Sequence, residues 1–267
     1  MISYNFGNKN TECPHQIRFT NIVGYQTFSA TKNTYQLKSV QFDGVGAKFN
    51  INDLSGNLNG PSWDEEGLFF TTAPMLMVRN GDIYVQYYYL SDGAVDEESG
   101  EYIPGWASAT GDPLPAEGVE IEAGTAFWFI DQYSDSSSLT VSGEVVSDAT
   151  STATFKTGYT LAACPYPKAL AFSEIQFAGL TGPAWDEEGN FFETAPQMLV
   201  RDGDIYVQYY YLSDGAVEEE SGEYIPGWAS ATGDPLPNYS EKLISVGTAF
   251  WIILPDAGSN VTATFTL

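Results

Sequence analysis

A block of 56 residues occurs twice in this chain, and it establishes a protein built of two β-rich repeats. The first copy runs from Gly60 to Pro115 and the second from Gly182 to Pro237, at a fixed offset of 122. The copies differ at eight positions: Ser62/Ala184, Leu68/Asn190, Thr71/Glu193, Met75/Gln197, Leu76/Met198, Met77/Leu199, Asn80/Asp202 and Asp96/Glu218. The flanking sequence diverges much faster. Either recent sequence exchange or a demand on this block alone accounts for that contrast.

The block reads as β-structure. Asp82-Ile-Tyr-Val-Gln-Tyr-Tyr-Tyr-Leu90 is rich in β-branched and aromatic residues, which suit a pleated surface. Alternation puts Ile83, Val85, Tyr87 and Tyr89 on one face and Tyr84, Gln86, Tyr88 and Leu90 on the other. Both faces are largely apolar, so the strand is covered on both sides or carries a tyrosine-rich surface. Asn80-Gly81 and Asp202-Gly203 are hairpin dipeptides that pair this strand with the one before it. A Gly-Thr-Ala-Phe-Trp strand recurs at Gly124–Trp128 and Gly247–Trp251, and Thr-Ala-Thr-Phe at Thr152–Phe155 and Thr262–Phe265. The segment Gln16–Val23 also alternates, and Ser138–Val145 reads as a strand added to the first repeat. Asn50–Gly56 and Leu170–Phe177 are each expected to hold a helical turn.

These signals predict an all-β protein of two tandem homologous β-sandwich or barrel-like domains. The expected division is an extension over residues 1–16, a first repeat over 17–156 closed by Thr152–Phe155, and a second over 157–267. The extension is a candidate donor strand for the open edge of a neighbouring copy.

The pattern Ile22-Val-Gly-Tyr25, Pro104-Gly-Trp106 and Gly-Thr-Ala-Phe-Trp resembles the β-rich repeats of bacterial secreted and envelope-associated surface proteins. The resemblance implies export and a non-catalytic role, and it implies no site residue.

Charge narrows the partners. The chain carries 35 acids against 10 bases, a net charge of −25, which repels phosphate backbones and anionic lipid. Nucleic acid and membrane insertion are not expected. Met1–Asn10 lacks an apolar run and is no secretory signal, so either the chain stays inside the cell or it is a mature or trimmed one. The export that the resemblance implies makes the expectation a mature chain at the cell exterior without its signal peptide.

Three kinds of residue are candidates for chemistry. The first is acidic: Asp92, Asp96, Glu97, Glu98 and Glu101, with Asp214, Glu218, Glu219, Glu220 and Glu223 in the second copy. Such loops are either solvated faces or Ca2+ sites, because calcium takes six to eight oxygens on glycine-permitted turns. The second is aromatic. Trp63, Trp106 and Tyr88, with Trp185, Trp228 and Tyr210, could stack on sugar rings, contact a partner, or plug loops, whereas Trp128 and Trp251 read as core. The third is Cys13 with Cys164, read either as a disulfide or as two unrelated thiols. Arg79 and Arg201, the only bases in the block, are expected to pair with carboxylates.

A catalytic triad would rest on His15, the only histidine, so no enzyme is expected. The expectation is a structural or adhesive protein binding copies of itself head to tail, in a fibre or surface layer. The alternative is a bivalent carbohydrate-binding protein using the loop aromatics on surface glycans.

Overall fold

The computed structural model describes residues 23–267 except 45–47, 65, 81–82, 97, 116–117, 187, 203–204, 218–221, 234, 237–243 and 256–259. The extension 1–16, the segment 16–22 and Cys13 therefore lie outside the described residues. The chain is all-β, and no helix among the described residues is long and apolar enough to cross a membrane.

The first half contributes β1 (Val23–Thr31), β2 (Gln36–Ser39), β3 (Phe42–Asp43), β4 (Phe49–Asn50), β5 (Met75–Asn80), β6 (Ile83–Val95), β7 (Tyr102–Ala107), β8 (Glu120–Ile121), β9 (Ala126–Ile130) and β10 (Ser136–Val145). The second contributes β11 (Thr150–Phe155), β12 (Gly158–Ala163), β13 (Ile175–Ala178), β14 (Gln197–Asp202), β15 (Ile205–Val217), β16 (Tyr224–Ala229), β17 (Ala249–Leu254) and β18 (Val261–Thr266). Each half builds a five-stranded sheet, in the orders β2-β9-β5-β6-β7 and β12-β17-β14-β15-β16, and a three-stranded sheet, β1-β10-β3 or β11-β18-β13. The strand pairings among the described residues are antiparallel.

In each half the two sheets enclose one core. Leu76, Val78, Tyr87, Phe127 and Phe129 of the first five-stranded sheet meet Phe28, Phe42, Leu139 and Val141 of its partner. Met198, Val200, Tyr209, Phe250 and Ile252 likewise meet Phe155, Ile175, Ala263 and Phe265. Period-2 alternation is the cause, since every second side chain points between the sheets. The expected helical turns are present as 3-10 turns at Ile51–Asp53 and Phe172–Glu174.

Two strand assignments differ from expectation. Ser136–Val145 is no addition: it pairs with β1 and β3, in the place that β18 holds in the second half. Thr152–Phe155 does not end the first sheet system. It belongs to β11, which pairs with β18 so that Thr152 faces Thr264, Ala153 faces Ala263 and Thr154 faces Thr262. The two Thr-Ala-Thr segments look alike because they are partners, and a palindromic pattern suits an antiparallel pair.

Cys164 carries a free, buried thiol, and burial pushes it up to about 11.

Candidate functional site

The loops of the duplicated block hold themselves in place. Asp64 accepts from the amides of Leu68 (2.8 Å) and Phe69 (3.1 Å), and Asp186 accepts from the amide of Asn190 at 3.0 Å. Ser91 Oγ accepts from Gly60 N at 2.8 Å, as Ser213 Oγ does from Gly182 N at 2.7 Å. Ser62 donates to Asp92, and Thr110 to Asp112. Asp96 accepts from Ser99 N at 2.7 Å and Ser99 Oγ at 2.8 Å, and the Ser99 amide, followed by the hydroxyl, holds its carboxyl below the ordinary range. Two glycines are required here. Gly93 (φ 95°) and Gly215 (φ 91°) form the bulges of β6 and β15, where a Cβ would lie 2.2 Å from the carbonyl carbon of Ile103 or Ile225.

The acidic residues named as calcium candidates are thus partly spoken for. Asp92 and Asp96 serve as turn acceptors. Glu97, Glu218, Glu219 and Glu220 lie outside the described residues. Among the described residues, no three His, Cys, Asp or Glu side chains are grouped to hold one ion.

The aromatic candidates are mostly enclosed. Trp106 and Trp228 are 5% and 4% exposed, and Tyr88 and Tyr210 are buried. Trp106 packs on Tyr89, and Trp228 is ringed by Phe172, Phe177 and Tyr211. Rings covered in this way offer no face to a sugar, which corrects the expectation for these four. Trp63 and Trp185 are half-buried against Phe69 and Phe191.

Another group of aromatics lies where the halves meet. Phe127 and Phe129 point into the core, so Trp128, between them on β9, points out of the sandwich. There it lies opposite Leu37 on one side and Met77 on the other, as Trp251 lies opposite Leu161 and Leu199. These outer faces pack together: Leu37 and Ala126 of one half cluster with Ala163 and Ala249 of the other, beneath Trp128, Leu161 and Trp251. The contact is sealed by an isolated bridge, Lys38 to Thr248, and by Ser39 N donating to Gly247 O at 3.1 Å.

The two arginines complete it reciprocally. Arg79 Nη1 donates to the Tyr159 carbonyl at 3.4 Å, and Arg201 Nη1 donates to the Tyr35 carbonyl. Each repeat gives the other what it receives, as in the isologous interface of a symmetric dimer. Tyr35 stands edge-on to Trp128 at 6.2 Å, and Tyr159 to Trp251 at 6.3 Å. Burial pushes the Tyr206 phenol up and nearby Tyr84 adds to the rise, while the Trp251 side chain and Arg201 draw it down.

No family model, curated protein or solved structure matches this chain.

The seam displays Tyr35, Tyr84, Tyr159 and Tyr206 at the surface. Sequence reasoning assigned Trp128 to the core and overlooked Tyr35 and Tyr159. The alternation of Ala-Phe-Trp-Phe-Ile held the missing signal, because a tryptophan between two core phenylalanines must face the other way. A hollow of about 580 Å3 also lies between the halves, lined by Asp43, Lys48, Glu122, Glu144, Ser151 and Pro165 among others. Burial raises the Asp43 carboxyl, and Asp148, Glu144 and Glu122 raise it further.

Proposed function

We propose that this chain is a non-enzymatic extracellular adhesive protein, and that the aromatic seam between its repeats is the surface that grips. One observation carries the reading: Tyr35, Tyr84, Tyr159 and Tyr206 remain exposed beside two arginines at a junction built by both copies of the block. Tyrosine, tryptophan and arginine supply most of the binding energy at interfaces, and tyrosine combines a stacking face with a hydroxyl. Adhesion needs such a surface and no reacting group. Surface glycans are the ligand class considered first, since flat rings stack on sugars while phenols and guanidinium groups bond their hydroxyls.

The test is adhesion of protein-coated beads to cells, together with a glycan array, for the parent chain and for Tyr84→Ala combined with Tyr206→Ala. The parent should adhere and the variant should lose most of that binding with an unchanged melting temperature. A parent chain that adheres to nothing removes the reading, and full adhesion by the variant moves the grip away from the seam.

A further inference from the structure

The sequence holds two Asn-Gly dipeptides, Asn59-Gly60 and Asn80-Gly81, both in the first half. At the equivalent places the second half has Thr181-Gly182 and Asp202-Gly203. An asparagine followed by glycine is the pair most open to attack by the main chain on its own side-chain amide, because glycine has no Cβ to hinder the approach.

The fold treats the two asparagines differently. Gly60 is buried, and its amide nitrogen, the atom that would attack, donates to Ser91 Oγ at 2.8 Å. Its Cα is also wedged against β6, where a Cβ would lie 2.1 Å from the Tyr89 carbonyl oxygen. Asn59 is therefore held out of reach of this chemistry. Asn80 is the exposed last residue of β5. β9 pairs with β5 only over Met75–Val78, so Asn80 is paired on one side alone, with Ile83 of β6.

We propose that Asn80 is a self-modification site, at which the chain converts an amide into an acid without any enzyme. The Gly81 nitrogen loses its proton to hydroxide and bonds to Asn80 Cγ. The Cγ–Nδ2 bond breaks, and the amide leaves as ammonia. Water then opens the five-membered imide at either carbonyl, giving aspartate, or isoaspartate in which the main chain runs through the side-chain carbon. Water is the only co-reactant, and nothing is oxidised or reduced.

The two products differ in what they do to the fold. Aspartate reproduces the second copy, where Asp202 pairs with Ile205 in the same register. Isoaspartate lengthens the main chain next to Arg79, which pairs with Tyr84 and donates to the Tyr159 carbonyl across the seam. Only that end of the seam is loosened, since the contact of Arg201 with Tyr35 lies on the other hairpin.

The test is peptide mapping by mass spectrometry of the full chain, aged at mildly alkaline pH and body temperature. The peptide carrying Asn80 should gain the mass of an amide-to-acid exchange and split into aspartate and isoaspartate forms, while the peptide carrying Asn59 stays unchanged. Asn80→Ser should remain unmodified. An Asn80 that survives after the same chain unfolded in urea has lost it overturns the proposal. Equal loss at Asn59 overturns the protection assigned to Ser91. The isoaspartate fraction, separated by ion exchange, should show faster hydrogen exchange over the hairpin of Arg79 and Tyr84 than the aspartate fraction, and equal exchange overturns the loosening.

Discussion

The two repeats close the same loops with different atoms. In the first, Ser62 donates to Asp92; in the second, Ala184 replaces the serine and Asp214 lacks that donor. On the outer sheet face, Tyr88 donates to Gln86 Oε1 at 2.7 Å, while Gln86 Nε2 lies 4.0 Å from the Met77 sulfur. In the second repeat Gln197 takes the place of Met75, accepts from Gln208 at 2.6 Å and donates to the Phe192 carbonyl at 3.2 Å. Four of the eight differing positions lie on β5 and β14. The lesson is local. Positions that carry a bulge glycine or a cross-repeat arginine are identical, whereas the turn acceptor Asp96 becomes Glu218 and Met75 becomes Gln197, which finds partners of its own.

Core truncation should separate the repeats most strongly. Trp228→Ala and Trp106→Ala should each cost about 3–5 kcal/mol. Trp228 should cost more, because three rings contact it against the one recorded for Trp106, whose buried Nε1 has no hydrogen-bond partner. Urea denaturation reads both values, and equal losses would dissolve the distinction.

A smaller and symmetric effect is expected at the seam. Arg79→Ala and Arg201→Ala should each lose about 1 kcal/mol, the scale of a partly exposed charged donor on a carbonyl. Matching losses in urea would support equivalent roles, and a loss at one arginine alone would end the description as a reciprocal contact.

Making the first repeat resemble the second should cost little. Met75→Gln should destabilise by less than about 1 kcal/mol, because Gln86 and the Phe70 carbonyl are the counterparts of Gln208 and the Phe192 carbonyl. A larger loss in thermal denaturation would mean that the loop of the first repeat cannot take the amide.

The least effect belongs to Asp96. Its folded carboxyl is held below the ordinary range by Ser99, so it stabilises the fold above the unfolded value near 3.9. That contribution fades as pH falls through the lowered folded value. Asp96→Asn should therefore melt slightly below the parent at pH 7, and the two should converge in strong acid. Divergence at low pH would reverse the sign.

The hairpin of the block was legible in the sequence because alternation and the Asn-Gly turn act within a few residues. Pairing of Asn80 with Ile83 and Arg79 with Tyr84 follows from them. Partner choice over long distance was not legible. Thr152–Phe155 and Thr262–Phe265 look like two endings of two repeats, and only the fold shows them side by side. The seam was hidden for a related reason: Trp128 shares its strand with Phe127 and Phe129, and hydrophobicity alone does not say which face meets the other repeat.

Because each arginine completes an edge belonging to the other repeat, neither half holds all of its own fastenings. Loss of one half strips its neighbour of a donor and uncovers Leu37 and Ala126 or Ala163 and Ala249. The two halves should therefore melt in a single calorimetric transition, and a change confined to one repeat should raise hydrogen exchange in both.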